Sequence, residues 1–150
     1  MNNGNHDFLA QGYEVHRSLD RFGEQDRVAY LAVMVKNKQP VILEEFQYKE
    51  LNIDEIKALC QLKLPGIPLF LESFETERGI CLVQEYKKAS PIYHLSNISP
   101  EAFKYIAKSI LDILIYLQNQ SPVVIHQNLR PENIWFDNQR QIHLVGFGLS

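Results

Sequence analysis

The stretch that decides the fold is His126-Gln127-Asn128-Leu129-Arg130-Pro131-Glu132-Asn133, and thirteen positions after Asn133 comes Gly146-Phe147-Gly148. The first string combines a histidine, two amides and a Pro-Glu-Asn triplet, and the second places an aromatic residue between two glycines. An amide such as that of Asn128 cannot take up a proton near neutral pH, and Gly146 has no side-chain ligand. Position 128 therefore lacks a group that could serve as a base, and position 146 lacks a side chain that could hold a cation.

The composition limits the partners that the chain can attract. Its 150 residues are the length of one domain. Its net charge is −3, so it has no basic surface field that would attract nucleic acid or an acidic membrane. Cys60 and Cys81 lie in apolar stretches without metal-ligand spacing, and we predict two buried thiols in a reducing cytoplasm.

The N-terminal string Met1-Asn2-Asn3-Gly4-Asn5-His6-Asp7 has neither the basic nor the apolar region of a signal peptide. We expect residues 1–12 to be a short disordered leader. The most apolar stretch, 106–117, includes Lys108 and Asp112 and is too short to span about 30 Å of hydrocarbon. These features predict a cytoplasmic protein without a membrane partner.

Apolar alternation predicts five strands and one helix in the first part of the chain. The helix begins after the cap candidate Asn52 and ends at Pro65-Gly66-Ile67-Pro68. The predicted strands are 13–19, 27–35, 41–46, 69–74 and 79–85, so the order is three strands, a helix and two strands.

The second part begins with Ser99-Pro100-Glu101, which combines a hydroxyl cap, a proline at the first helical position and an acid in the first turn. A long helix should follow, and two short strands are predicted at 134–137 and 141–145. The predicted apolar face of the helix consists of Phe103, Ile106, Ala107, Ile110, Leu111, Leu114 and Leu117. The chain is thus predicted to be α+β, in two unequal pieces.

This order of elements, together with the strings around 126 and 146, resembles the protein kinase family over residues 13–150. The resemblance implies a small lobe at 13–88, with a five-stranded antiparallel sheet plus one helix, and the first part of the helical large lobe at 89–150. The chain looks closest to bacterial serine/threonine kinases, because three further strings recur there in this order: Pro65-Gly66-Ile67-Pro68, Phe74-Glu75-Thr76-Glu77 and Leu82-Val83-Gln84-Glu85-Tyr86.

The resemblance implies a catalytic loop whose acids are missing. Asn128 stands where kinases have the Asp that accepts the substrate proton, and Gly146 stands where they have the magnesium-binding Asp. Asn133 is left as a weak metal ligand. Arg130 replaces the usual lysine of the loop, and we expect it to pair with a surface acid.

The phosphate-binding parts are also altered. Glu44 stands at the position of the lysine that grips the phosphates, and Glu55 is the helix glutamate that normally pairs with it, so two carboxylates are expected to repel. The segment 19–28, which matches the glycine-rich loop, keeps one glycine and gains three acids. The hinge backbone at Glu85 and Lys87 is what remains for a nucleotide.

Bulk is expected to change the adenine slot, where Ile42 and Trp135 replace smaller residues of the family. The positions that match the hydrophobic spine of the family are retained, namely Leu59, Phe70, His126 and Phe147. We therefore expect no cofactor, and ATP with Mg²⁺ only if the chain is an active kinase after all.

The sequence predicts a truncated, catalytically inactive kinase-like (pseudokinase) protein that acts by binding. Without the rest of a large lobe, the helix face and Ile142, Leu144 and Phe147 should lack cover, which predicts self-association or an unknown protein partner at the 99–118 helix. Two alternatives stay open: a serine/threonine kinase that binds ATP and phosphorylates protein, and a decayed gene product without a selected function.

Overall fold

The computed structural model describes residues 8–19, 27–47 and 53–147, and these form two compact units. The described part of the first unit consists of residues 8–19, 27–47 and 70–86. The second consists of residues 53–69 and 87–147. The cap candidate Asn52 lies outside the described residues.

The first unit is a five-stranded antiparallel sheet with the order β1-β2-β3-β5-β4. Each strand lies within about one residue of its predicted bounds, because the apolar and β-branched runs that identify a strand also fill its buried positions. The strands are β1 Tyr13–Leu19, β2 Arg27–Met34, β3 Pro40–Gln47, β4 Phe70–Glu75 and β5 Gly79–Glu85.

An aromatic cluster covers one face of this sheet. Phe8 is 1% exposed, and its ring centroid lies 5.3 Å from that of Tyr30 and 6.2 Å from that of Phe74. The sequence prediction assigned residues 8–12 to a disordered leader, whereas residues 8–10 form a helical turn that ends at Gly12. Phe8, Leu9 and Ala10 form a short apolar run between polar residues and show no periodicity, so no sequence pattern indicated that Phe8 packs.

Strand β3 is buried on both faces. Val41 and Leu43 belong to the core cluster that includes Phe8, and Cys81 belongs to it as well. Because side chains alternate along a strand, Ile42, Glu44 and Phe46 point to the opposite face, where all three are also buried. A glutamate therefore lies inside the fold at position 44.

The second unit combines two α-helices, two short 3-10 helices and a small sheet with the order β6-β7-β8. Strand β6 has two residues and includes a proline, so no sequence pattern predicts it. The elements are α1 Ile53–Cys60, β6 Ser90–Pro91, the 3-10 helix Ile92–His94, α2 Pro100–Gln118, the 3-10 helix Pro131–Asn133, β7 Ile134–Phe136 and β8 Ile142–Leu144.

Helix α1 belongs to the second unit. The segment behind the helix is attached there by long-range hydrogen bonds. The backbone N–H of Leu144 donates to the Gly66 carbonyl at 2.8 Å, and that of Lys63 donates to the Tyr116 hydroxyl at 2.8 Å.

Helix α2 begins as predicted, because the Ser99 hydroxyl accepts a hydrogen bond from the Ala102 N–H at 3.1 Å. Its buried face is rotated from the predicted one. Ile110, Ile113 and Leu117 are buried, while Phe103 and Leu111 of the predicted face are 65% and 58% exposed.

The expected loss of cover for the last strand of the chain is wrong. Ile142, Leu144 and Phe147 are at most 4% exposed.

Burial raises the pKa of the Cys60 and Cys81 thiols. No helix in the described part of the chain is long and apolar enough to cross a bilayer.

Candidate functional site

His126 anchors the loop that carries the first diagnostic string. Its Nδ1 accepts a hydrogen bond from the Asn128 backbone N–H at 3.1 Å, so the ring proton is on Nε2, which donates to the Val145 carbonyl at 2.7 Å. His126 is 3% exposed, and its ring centroid lies 4.5 Å from that of Phe147. Both nitrogens are thus bonded to backbone, and the histidine holds the loop against the strand end.

Asn133 connects the same loop to the second diagnostic string. Its side chain is buried, its Nδ2 donates to the Asn128 carbonyl at 2.8 Å, and its own carbonyl accepts from the Val145 N–H at 2.9 Å. The Nδ2 of the Asn133 amide therefore helps to hold the loop in place.

Gly146 lies directly against that amide. Its φ is +74°, and a Cβ built on it would clash with Asn133 Oδ1. The chain passes position 146 in this way because glycine has no side chain and tolerates positive φ. At the position that takes a metal-binding Asp in the family, a side chain would be strained and the Asn133 amide would have to shift.

Asn128 completes the group. It is half-buried, and its Nδ2 lies 3.4 Å from the Gly146 carbonyl, to which it donates. The fold thus brings together Asn128, Asn133 and Gly146, as the resemblance implies. They meet through amides and backbone, and none of the three carries a carboxylate.

A magnesium ion does not fit this arrangement. Mg²⁺ requires near-octahedral oxygen ligands and is usually held by one or two carboxylates plus phosphates. Here the Asn133 Nδ2 is bonded to the loop and its Oδ1 lies against Gly146. Among the described residues, no group of three His, Cys, Asp or Glu side chains could hold a metal ion.

The neighbouring residues of the loop make short-range contacts. Arg130 Nε lies 3.9 Å from the Glu132 carboxylate, and both side chains are partly exposed. The half-buried Trp135 donates from its indole N–H to the Glu132 carbonyl at 2.8 Å.

In the first unit, Glu44 has acquired partners that the sequence prediction missed. Its Oε1 accepts a hydrogen bond from Gln84 Nε2 at 2.8 Å, and its Oε2 lies 3.4 Å from Arg27 Nη1. The Arg27 guanidinium also lies 5.4 Å from the centre of the Phe46 ring. The strand register could have indicated this pairing. Ala29 of β2 faces Glu44 of β3, so Arg27 is the diagonal neighbour of Glu44.

The other predicted nucleotide-binding residues are distributed over the two units. Glu85 is half-buried at the end of β5 in the first unit, and Ile42 is buried in β3. Glu55 is half-buried on α1 in the second unit, where Lys87 is exposed. Most of the predicted phosphate loop, residues 20–26, lies outside the described residues.

Comparisons with known proteins agree with this architecture. The sequence model of the protein kinase domain matches residues 24–150. The chain is 29% identical over 128 residues to the probable serine/threonine-protein kinase fhkE of Dictyostelium discoideum, covering 79% of this chain and 18% of that protein. It is 28% identical over 127 residues to the serine/threonine-protein kinase cds1 of Schizosaccharomyces pombe, covering 81% of this chain and 27% of that protein. The chain therefore spans well under a third of these relatives.

A solved structure shows the same fold. The crystal structure of Rad53 1-466 in complex with AMP-PNP superposes with a TM-score of 0.76 at 17% identity, covering 93% of this chain and 39% of that one. The predicted fold class, a kinase-like small lobe followed by the start of the large lobe, is thereby confirmed.

Proposed function

Because the chain belongs to the protein kinase domain family, we propose that it is a catalytically inactive member that acts by binding rather than by phosphoryl transfer. The observation that carries this proposal is the contact between Gly146 and the Asn133 amide, beside Asn128. Phosphoryl transfer depends on metal ions and on a base that orients the attacking hydroxyl. These positions supply neither.

The first unit supports the same proposal. A cation that contacts the phosphates is part of the transfer machinery in this family, and the matching position holds Glu44, a carboxylate already bonded to Arg27 and Gln84. Loss of a positioned base typically lowers the rate by ~10²–10⁴, and the other losses affect the same transition state.

An active serine/threonine kinase is the second candidate, because the relatives named above carry that description. Under that reading, ATP and Mg²⁺ would be the cofactors and protein the substrate. The bacterial subgroup and the cytoplasmic location indicated by the sequence stay predictions.

The proposal predicts that Mg-ATP does not stabilise the protein. A ligand at 100 times its dissociation constant adds about 2.7 kcal/mol, which raises the melting temperature by several degrees in a domain of this size. We expect no such rise in thermal melts, and no radiolabel from ATP on the protein or on a generic substrate. Label above a heat-killed control, lost on Asn133→Ala, would establish the kinase instead.

For the partner, we propose a second copy of this chain at the exposed stripe of α2. The exposed stripe consists of Phe103, Ala107, Leu111 and Ile115, which follow one another at intervals of four residues, with Ala107 half-buried. Phe103, Leu111 and Ile115 are 65%, 58% and 53% exposed. Ridges at this spacing pack into the grooves of a second helix, and apolar patches on a surface mark interaction sites.

The stripe complements itself when two copies are antiparallel. A two-fold axis midway between Ala107 and Leu111 places each Phe103 near Ile115 of the other copy and each Ala107 near Leu111. Lys108 and Asp112 pair within one chain at 3.1 Å. In the dimer, Lys108 of one copy and Asp112 of the other would be offset by about 3 Å along the helix axis. Each Leu111 meets the small Ala107, each Phe103 meets the aliphatic Ile115, and opposite charges meet.

Leu111→Asp is therefore expected to abolish self-association, measured by sedimentation at micromolar concentration, because it places a charge in the stripe. Ile110 is 8% exposed and faces inward, so Ile110→Asp would disturb the fold instead. Val123→Asp is the control, since Val123 is 57% exposed but lies outside α2. A wild-type protein that sediments as a monomer, or equal weakening by both variants, would contradict the proposal.

A further inference from the structure

The carboxylate of Glu44 is held by two donors that come from different strands. Arg27 of β2 lies 3.4 Å from one oxygen, and Gln84 of β5 donates to the other at 2.8 Å. Two donors that converge on the two oxygens of one carboxylate have the arrangement of an anion-binding site. In this unit the anion is part of the chain.

The three side chains are buried together. The Arg27 side chain is 10% exposed, that of Glu44 is 4% exposed, and Gln84 is 4% exposed as a residue. A charge in such a position is tolerated only when it is paired and hydrogen-bonded. The backbone of three neighbouring strands fixes all three positions, so the donors are arranged before any ligand arrives.

We propose that Glu44 is a built-in anionic ligand, whose carboxylate occupies an oxyanion site formed by Arg27 and Gln84 and closes it to external carboxylates and phosphates. The inference rests on the proposed function, because it explains how a family member without a phosphate-binding lysine fills that place. It also goes further, because it assigns Arg27 of the first unit as the cationic donor of an anion-binding site and names carboxylates and phosphates as the anions that the site would take.

An anion-binding site and a purely structural ion pair differ in what happens when the Glu44 carboxylate is removed. Removal of the Glu44 side chain beyond Cβ would leave a guanidinium and an amide around a space of carboxylate size. A small oxyanion from solution should then bind and restore part of the lost stability. If Arg27 and Glu44 formed only a structural ion pair, the variant protein would lose stability and an added oxyanion would not restore it.

The test uses the full chain with Glu44→Ala, melted in increasing formate, acetate or inorganic phosphate against chloride at equal ionic strength. Phosphate stabilises folded proteins generally by exclusion from their surface, so the wild-type protein in the same salts is the baseline. We expect a saturable rise in Tm of roughly 3–6 °C above that baseline for Glu44→Ala. Arg27→Met/Glu44→Ala should lose the rise.

The separate anions identify the ligand class. A rise with formate and acetate alone assigns a carboxylate-sized site, and a rise with phosphate as well extends it to phosphoryl groups. No rise above baseline, or a rise that persists in the double variant, overturns the proposal. If Glu44→Ala does not fold in chloride, the same salts are compared during refolding, where equal recovery in all of them overturns it. Kinase activity in the wild-type protein would overturn the proposed function without changing this result.

Discussion

Glu44→Lys is expected to destabilise the protein by about 3–5 kcal/mol, because it breaks a buried ion pair and sets two cations against each other. The lysine would lie beside Arg27, whose guanidinium is 3.4 Å from the present carboxylate, and it would leave Gln84 without its acceptor. The substitution that restores the residue expected from the family is thus expected to be strongly destabilising. Denaturant unfolding measures the loss.

Two controls separate charge reversal from the general effect of a lysine. Glu14→Lys changes an exposed glutamate of β1 and should alter the free energy of unfolding by less than about 0.5 kcal/mol. Arg27→Glu/Glu44→Lys exchanges the two charges and should recover much of the loss. If the double variant is as unstable as Glu44→Lys alone, the two residues do not interact as the structure indicates.

The sequence predicted the elements well because each depends on local residues. The strands of the sheet follow from apolar alternation, and the start of α2 follows from Ser99 and Pro100. The packing face of α2 was predicted less well, because Phe103, Leu111 and Leu117 fit a helical stripe, yet the true contact surface turns toward Ile113. Periodicity identifies a helix, but the position of its neighbours decides which side is covered.

The candidate site shows the same division. The absence of acids at Asn128 and Gly146 could be read directly from the sequence, whereas the pairing of Glu44 required the register of three strands. Sequence reasoning set Glu44 against Glu55 on the basis of the resemblance, and it assigned Arg27 no contact with Glu44. The structure shows that the sheet itself supplies the counter-charge, from a residue seventeen positions earlier in the chain.

The second large effect is expected at Gly146, where Gly146→Asp should lower stability by about 2–4 kcal/mol and restore no activity. A side chain at φ +74° is strained, and its Cβ would clash with Asn133 Oδ1. The new carboxylate would also crowd the amide oxygen that it needs as a fellow metal ligand. Restoring the family residue therefore requires the loop to move.

Comparison with Gly146→Ala locates the cause, because most of the loss should already occur when only a Cβ is added. Asn133→Ala removes the atoms that the Cβ would meet, so the effect of Gly146→Asp should be smaller in that background than in the wild type. Denaturant unfolding of the four proteins in this cycle gives the coupling. Additive losses, or a Gly146→Asp protein that is stable and gains stability with Mg-ATP, would show that position 146 accommodates a side chain and that Asn133 does not exclude it.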